Sequence, residues 1–203
     1  MTDTDFWDKA AHKYAKSAIS DMAAYTQTMD RIKAILQPHH RVLELGCGTG
    51  STALELASGV ERYIGTDNSP GMIQIAQGKL PPNLPHLSFA VHTAGDLPTG
   101  TNDVILALNL LHLVDNLEEV LANVYAGLPS GGLFIAKTGL MKDGAWILSL
   151  VIPVMQMIGK APFVGNLRET DLTKLLNNAG FEVTETLIQK GIVPRMFTIA
   201  RKP

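Results

Sequence analysis

The chain has 203 residues, of which 46% are apolar and 18% charged, so it is long enough for one domain with a full core and too apolar for a disordered protein. Seventeen Lys and Arg balance nineteen Asp and Glu, which disfavours a dedicated nucleic-acid-binding protein. The single cysteine, Cys47, excludes an intrachain disulfide scaffold. The acidic start of the chain lacks the order of a signal peptide, so we expect a cytoplasmic protein.

The chain begins with a predicted helical segment and continues as alternating strands and helices. Residues 6–36 contain neither Pro nor Gly, and their apolar side chains recur at helical spacing. Strands are predicted at 41–45, 62–66, 87–91, 103–108, 133–138, 181–188 and 195–201. Helices are predicted at 51–57, 69–80, 117–128 and 169–178, the last capped near Thr170 and closed by Gly180. This alternation predicts a parallel sheet with helices on both faces, whose last two strands pair antiparallel at one edge.

An apolar run at 145–158 follows the fifth predicted strand. It is shorter than the ~20 residues that span a membrane, and Pro153 and Gln156 interrupt it. Three interpretations stay open from the sequence: a buried helix, a lid over an apolar pocket, or a segment that lies on a membrane surface.

A glycine-rich loop, Gly46-x-Gly48-x-Gly50, follows the first predicted strand and opens a helix. Glycines at such a turn let the backbone approach a ligand closely. Ser51 stands where the dinucleotide fingerprint G-x-G-x-x-G needs its last glycine. Asp67 ends the second strand, where an acid accepts hydrogen bonds from ribose hydroxyls. A ribose site without a pyrophosphate site indicates an adenosine ligand that carries no phosphates, and S-adenosylmethionine is the obvious candidate.

Two motifs, V-L-E-L-G-C-G-T-G at 42–50 and Y-I-G-T-D-N-S-P-G-M at 63–72, resemble the class I S-adenosylmethionine-dependent methyltransferases, closest to the small-molecule group called type 11/12. The resemblance covers about residues 40–140. It implies a Rossmann-like, seven-stranded, mostly parallel sheet with an antiparallel last strand, in a single domain over 1–203. Residues 1–37 would form a helical cap and 139–166 an apolar helical lid insertion.

The resemblance also implies which residues contact the cofactor, S-adenosylmethionine. Glu44 would face the amino end of the methionyl group, through water or the loop backbone. Gly46 and Gly48 would let the loop pass beneath the cofactor, and Asp67 would hold the ribose. The other implied cofactor contacts are Tyr14, Cys47, Asn68, Met72, Thr93, Ala94 and Asn109. Thr93 stands where the family often has an acid that binds the adenine amino group, and Asp96 is the alternative.

Methyl transfer needs alignment of acceptor, methyl and sulfur more than a dedicated catalytic group. Where the acceptor needs a general base, His112 is the best candidate, and the alternative is that it braces the loop. The predicted substrate pocket consists of Trp7, Lys137, Trp146 and Leu150. The sequence Asn109-Leu110-Leu111-His112 differs from the [DN]-P-P-[YF] motif of enzymes that methylate amino groups of DNA bases or glutamine amides.

The sequence therefore predicts an enzyme that methylates a small, rather apolar molecule, with no nucleic-acid partner. No His and Cys spacing indicates a metal site. Two alternatives stay open: a lipid or quinone methyltransferase with peripheral membrane contact, and a protein that binds the cofactor without turnover. The sequence does not determine the oligomeric state.

Overall fold

The structure, a computed structural model, describes residues 3–95, 97, 102–144, 151, 155–157 and 161–203. The strands are β1 Arg41–Leu45, β2 Arg62–Asp67, β3 Leu87–Val91, β4 Val104–Leu108, β5 Leu133–Gly139, β6 Glu182–Gln189 and β7 Arg195–Arg201. The helices are α1 Asp3–Ala15, α2 Met22–Ile35, α3 Ser51–Leu56, α4 Pro70–Gln77, α5 Leu117–Gly127 and α6 Glu169–Asn178.

The strands form one sheet in the order β3-β2-β1-β4-β5-β7-β6. β1 to β5 pair in parallel, while β7 pairs antiparallel with both β5 and β6. This confirms the predicted seven-stranded sheet with its antiparallel edge. The strand order reverses between β1 and β4, and parallel sheets bind ligands beyond the carboxyl ends of strands at such a point.

Helices cover both faces of the sheet. One apolar cluster joins α2, α3 and α4 to side chains such as Tyr63 and Phe197. The other joins α5 and α6 to side chains such as Ile105 and Phe134. β1, β4 and β5 are buried almost throughout, as expected for strands covered on both sides.

The prediction of one continuous helix over residues 6–36 is wrong, because the segment divides into α1 and α2. The Asp21 side chain accepts the Ala24 N–H at 2.9 Å and caps α2. The Ser17 hydroxyl donates to the Lys13 carbonyl at 3.0 Å just beyond the end of α1. Serine and aspartate side chains compete with helical hydrogen bonds in this way, so the absence of Pro and Gly does not ensure continuity.

The apolar run at 145–158 is described at Val151 and at 155–157, which are helical. Val151, Met155 and Met157 are exposed there, while Trp146 and Leu150 lie outside the described residues. The predicted cap lies near Thr170 but not at it: α6 begins at Glu169, and Asp171 accepts the Arg168 N–H at 3.1 Å. Within the described ranges, no helix combines the length and apolar character needed to cross a membrane.

Candidate active site

A cavity of about 320 Å³ opens beyond the carboxyl ends of β1, β2 and β4. Its volume falls in the range of small-molecule binding sites. Ten residues that the sequence analysis singled out line it: Trp7, Tyr14, Gly46, Gly48, Asp67, Asn68, Met72, Thr93, Ala94 and Asn109. They come from α1, from the loops after β1, β3 and β4, from the end of β2 and from α4, so the topology brings together residues that are far apart in the chain.

The glycine-rich loop forms one wall of the cavity, and its backbone conformation favours glycine. Gly46 has φ +64°, and a Cβ there would lie 2.7 Å from Leu110 Cδ1. Gly48 has φ +53° and lies below Tyr14, whose Cε1 would be 3.8 Å from an added Cβ. A left-handed backbone favours glycine at both positions, and the close contact with Leu110 adds to this at Gly46.

Asp67 stands at the junction of the loops that border the cavity. Its Oδ2 accepts the Gly48 N–H and its Oδ1 accepts the Ser69 N–H, both at 2.9 Å. Burial raises the pKa of Asp67, the neighbouring Asp8 adds to this, and the backbone donors oppose it. Each carboxylate oxygen has two acceptor positions. Both oxygens can therefore accept a further hydrogen bond from a ligand hydroxyl in the cavity.

Helix α1 closes the cavity with two aromatic side chains. Trp7 and Tyr14 lie edge to face, with ring centroids 6.2 Å apart. Burial raises the pKa of the Tyr14 hydroxyl, and the charges of Asp67 and Glu44 add to the effect. Its hydroxyl therefore stays protonated and can donate a hydrogen bond. Asp8, which sequence reasoning missed, accepts the Gly71 N–H at 2.9 Å and the Ser69 hydroxyl, and so fixes α1 to the start of α4.

Two predicted cofactor contacts, Glu44 and Cys47, lie beneath the loop and do not line the cavity. The Glu44 carboxylate is 2% exposed and accepts the Tyr63 hydroxyl at 2.8 Å. Burial raises the pKa of Glu44 to about 7. The Cys47 N–H donates to the Thr66 carbonyl at 2.8 Å, and its buried thiol packs against Gly65. Both side chains are turned towards the core, so a contact of Glu44 with the cofactor would pass through water or the loop backbone, and the two contacts stay predictions.

His112 also lies outside the cavity lining. Its ring packs on Gly139, and its Nδ1 accepts the Gly139 N–H at 3.3 Å. Burial lowers the pKa of His112 to about 4, with a contribution from the positive Arg195. The ring is therefore neutral, and with Nδ1 as acceptor its proton is on Nε2. This geometry disagrees with the predicted general base and agrees with the alternative, a side chain that braces the turn after β4.

Lys137 is not a wall of the cavity either. Its side chain is 7% exposed, and its Nζ donates to Thr28 Oγ1 at 2.9 Å and to the Ala24 carbonyl at 3.4 Å. The predicted pocket residue therefore lies under the first turns of α2. Burial lowers the pKa of Lys137 to about 8, and Arg195 adds to this.

Asn109 ends β4 in a left-handed conformation, φ +59°, which no other described residue except glycine adopts. Its N–H donates to the Lys137 carbonyl at 2.7 Å. Asparagine tolerates this conformation better than most residues, and such strain clusters at functional sites. Asn109 therefore presents its amide to the cavity from a fixed position.

Sequence reasoning missed part of the lining. The missed residues end β4 or follow β3 or β4, and they include Leu108, Leu110, Leu113, Val114, His92, Asp115, Asn116 and Glu119. The signal available in the sequence was their position after the end of a parallel strand. Asp96, the alternative adenine contact, lies outside the described residues.

A second, apolar groove of about 380 Å³ adjoins the cavity and shares Val114, Asp115 and Asn116 with it. Its apolar lining comes from Leu111, Val114, Leu117, Phe163, Leu167 and Leu175. Phe163 and Leu167 belong to the end of the chain segment between β5 and α6, so this segment borders the site. Across the described part of the chain, no three His, Cys, Asp or Glu side chains come together as metal ligands.

Comparison with known proteins finds methyltransferases that resemble this chain. Residues 42–132 match the methyltransferase domain family. An uncharacterized methyltransferase of Synechocystis is 28% identical over 160 residues, which are 77% of this chain and 73% of that protein. The highly reducing polyketide synthase easB of Emericella nidulans is 33% identical over 128 residues, 56% of this chain but 5% of that synthase.

The magnesium protoporphyrin IX methyltransferase ChlM of Synechocystis, solved with bound SAH (S-adenosylhomocysteine), has the same fold. The TM-score is 0.70, with 19% identity, and the match covers 97% of this chain and 93% of ChlM. The matched segment 42–132 contains the glycine-rich loop, Asp67 and Asn109, which all border the cavity.

Proposed function

We propose that the chain, whose residues 42–132 match the methyltransferase domain family, transfers a methyl group from S-adenosylmethionine to a small, largely apolar acceptor. The observation that carries the proposal is the cavity walled by the glycine-rich loop, Asp67 and the aromatic side chains of α1, with an apolar groove beside it. The cavity has the size of a cofactor site, and the groove has the polarity of an acceptor site.

The residues present fit the cofactor. Asp67 retains two acceptor positions for the ribose hydroxyls. The small glycine-rich loop and the Tyr14 hydroxyl suit the methionyl end, and Met72 with Thr93 suits the adenine. The aromatic rings of Trp7 and Tyr14 favour a positive ligand beside them by roughly 0.5–2 kcal/mol. S-adenosylmethionine supplies both the reactive methyl group and its leaving group.

The protein's part in the reaction is then to orient the acceptor and to exclude water. Orientation alone contributes about 7–11 kcal/mol to such a displacement. We propose that α1, within the segment 1–37, caps the cofactor and that segment 139–166 covers the acceptor. His112 acts here as a positioning residue, because its ring is neutral and its Nδ1 is occupied by Gly139.

The apolar character of the acceptor is inferred from the groove. Leu111, Leu117, Leu167 and Leu175 give most of its apolar lining, beside the polar Asp115, Asn116 and Glu118. Phe163, 37% exposed, adds a side chain from the segment 139–166. A molecule that extends from the cavity into this groove buries apolar surface, at roughly 25 cal/mol for each Å².

Mass spectrometry of methyl transfer tests the proposal. The protein is incubated with S-adenosylmethionine that carries a trideuterated methyl group and with a panel of small molecules. The panel contains hydroxyl, amine, thiol and activated carbon acceptors, each in one apolar and one polar molecule. We expect label only in apolar members of the panel, and loss of labelling in Asp67→Asn. Label that prefers polar acceptors would contradict the apolar acceptor, and cofactor binding without any label would contradict the acceptor class.

A second candidate is methylation of a lipid or quinone at a membrane surface. The observation in its favour is a pair of highly exposed apolar side chains, Met157 at 81% and Ile192 at 79%. The segment 139–166 begins close to the β6–β7 connection, because a Cβ on Gly144 would lie 2.9 Å from the Ile192 carbonyl oxygen. Liposome binding distinguishes this candidate from the first.

A further inference from the structure

The cavity runs along the carboxyl ends of neighbouring strands, and this fixes the direction of a cofactor within it. Gly48 follows β1, Asp67 ends β2 and His92 follows β3, and all three line the cavity. β1, β2 and β3 are adjacent in the sheet, and neighbouring strands are about 4.8 Å apart. When the ribose lies on Asp67 and the methionyl group on the glycine-rich loop, the adenine therefore lies beside the loop after β3.

Helix α5 faces the loop after β3 and borders the same end of the cavity. Glu119, in the first turn of α5, lines the cavity. One turn further along the helix, the Asn123 side chain donates to the Gly95 carbonyl at 2.8 Å. Another turn further, a Cβ on Gly127 would lie 3.1 Å from Leu97 Cδ1. Residues four positions apart share one face of a helix, so the face that carries Glu119 is turned towards the position of the adenine.

The Glu119 carboxylate is oriented by its neighbour Asn116. The Asn116 Nδ2 donates to Glu119 Oε2, and both residues line the cavity. A carboxylate has two oxygens with about four acceptor positions, so this bond leaves acceptor positions that a ligand can use. Among the described side chains, no Lys, Arg or His forms an ion pair with Glu119. Its negative charge is therefore available to an N–H group of a ligand.

Two other polar side chains near the adenine position are less suited to select a ligand donor. Thr93 lines the cavity after β3, and its hydroxyl can either donate or accept. An ionised carboxylate can only accept, so it distinguishes a donor from an acceptor on the ligand. Asp115 is the other carboxylate close to α5, but it also lines the apolar groove. Of these two carboxylates, only Glu119 borders the cavity without also bordering the groove.

We propose that Glu119 accepts a hydrogen bond from the amino group of the adenine and thereby makes the site selective for a 6-amino purine over a 6-oxo purine. The amino group of adenine is a donor. A 6-oxo group is an acceptor, which would face the acceptor oxygens of the carboxylate without a hydrogen bond between them. This inference rests on the proposed function and adds a residue that determines which nucleoside the cofactor site takes.

The test is calorimetric titration with S-adenosylhomocysteine and with S-inosylhomocysteine, in which a 6-oxo group replaces the amino group. We expect the wild-type protein to bind S-adenosylhomocysteine about tenfold more tightly, because the mismatched ligand loses a hydrogen bond to a charged group. Glu119→Ala should bind S-adenosylhomocysteine more weakly and lose most of this preference. Glu119→Gln should lose it as well, because its amide can donate to the 6-oxo group.

Two further variants are matched controls for the loss of one negative charge. Glu169→Ala removes an exposed acidic side chain from the first turn of α6, which lies outside the cavity lining, and should keep the wild-type preference. Asp115→Ala removes the neighbouring carboxylate and should keep the preference too. Because Glu119 is itself exposed, its replacement leaves the core of the protein unchanged.

Equal binding of the two ligands by the wild-type protein, or a preference that survives in Glu119→Ala, would overturn the inference. A preference that is lost in Asp115→Ala alone would overturn it too and would assign the contact to Asp115. Failure of the wild-type protein to bind S-adenosylhomocysteine would instead overturn the proposed function. The affinity for S-adenosylhomocysteine and the ratio of the two affinities therefore test the two proposals separately.

Discussion

Asp67 accepts the backbone N–H of Gly48 at 2.9 Å, which joins the end of β2 to the loop after β1. The same carboxylate accepts the Ser69 N–H at 2.9 Å and so also orients the start of α4. One side chain thus sets the relative positions of the two loops that form the cavity wall. Asp67 contributes to the shape of the site before any ligand binds, and its substitution should affect both shape and affinity.

We expect Asp67→Asn to bind S-adenosylhomocysteine at least tenfold more weakly than the wild-type protein. The amide retains the volume of the carboxylate but loses one charged acceptor, and hydrogen bonds to charged groups contribute about 1.5–3 kcal/mol each. Calorimetric titration measures the loss. Asp30→Asn, an exposed site on α2, is the control and should keep wild-type affinity. Equal affinity in Asp67→Asn and wild type would exclude Asp67 as a ribose contact.

The positions of Gly46, Asp67 and Asn109 could be predicted from the sequence. Each lies at the carboxyl end of a strand, and the carboxyl ends of parallel strands meet at the same edge of the sheet. The direction of individual side chains was predicted less well. Every residue of β5 from Phe134 to Gly139 is buried, so its sequence has no polar–apolar alternation that would indicate which face Lys137 occupies. For the same reason, Glu44 in the buried strand β1 gave no sign that it faces Tyr63 rather than the ligand.

The contacts between α1 and α4 also could not be predicted from the sequence. Asp8 and Ser69 are 61 positions apart, and no local pattern links an aspartate on one helix to the start of another. The break between α1 and α2 depends on the cap that Asp21 forms. The free energy of one such cap is small, so the capped and the continuous helix differ little in stability. Tertiary contacts and helix caps of this kind depend on packing between distant residues, which cannot be predicted from one sequence.

We expect Asp8→Asn to loosen α1. The substitution weakens the bonds to the Ser69 hydroxyl and the Gly71 N–H, which hold α1 on α4. Amide hydrogen exchange in α1 should become faster, and binding of S-adenosylhomocysteine should restore part of the protection because Trp7 and Tyr14 border the cavity. Asp30→Asn on α2 should leave exchange in α1 unchanged. If α1 is equally protected in Asp8→Asn and wild type, with and without ligand, it is simply a packed helix.

Glu44 should make the free energy of unfolding fall as the pH rises from about 4.5 to 7. Its pKa is raised by burial from 4.5 to about 7 in the folded protein. In that window the folded state holds a proton that the unfolded state has lost, so rising pH favours unfolding. At 1.36 kcal/mol for each pKa unit, the effect is about 3 kcal/mol at most and is complete above pH 7.

Glu44→Gln removes this titration, so its stability should exceed that of the wild type above pH 7 and approach it below pH 4.5. Chemical unfolding at several pH values measures both curves. Glu185→Gln is an opposite control: Arg31 holds the pKa of Glu185 below its ordinary value, so this carboxylate stabilises the fold at higher pH. Parallel pH curves for Glu44→Gln and wild type would show that Glu44 titrates normally.

Liposome sedimentation distinguishes two roles for segment 139–166, a lid over the acceptor and a contact with a membrane. Met157 and Ile192 are the two most exposed large apolar side chains among the described residues. Single exposed apolar residues are common on protein surfaces, whereas a continuous patch of several hundred Å² indicates a binding surface. We expect most of the protein to stay in the supernatant with anionic liposomes, because Phe163 and Leu167 turn the end of this segment towards the groove beside the cavity.

A double substitution, Met157→Ser with Ile192→Ser, identifies the surface if sedimentation does occur. Leu80→Ser is the matched control: Leu80 is exposed just beyond the carboxyl end of α4, and this places it at the edge of the sheet opposite to the cavity. Strong sedimentation that is lost in the double variant but kept in Leu80→Ser would favour the enzyme at a membrane surface over the lid. Sedimentation that is absent in all three proteins would favour segment 139–166 as a cover for a small acceptor. Sedimentation that is equal in all three would place the lipid contact outside Met157 and Ile192.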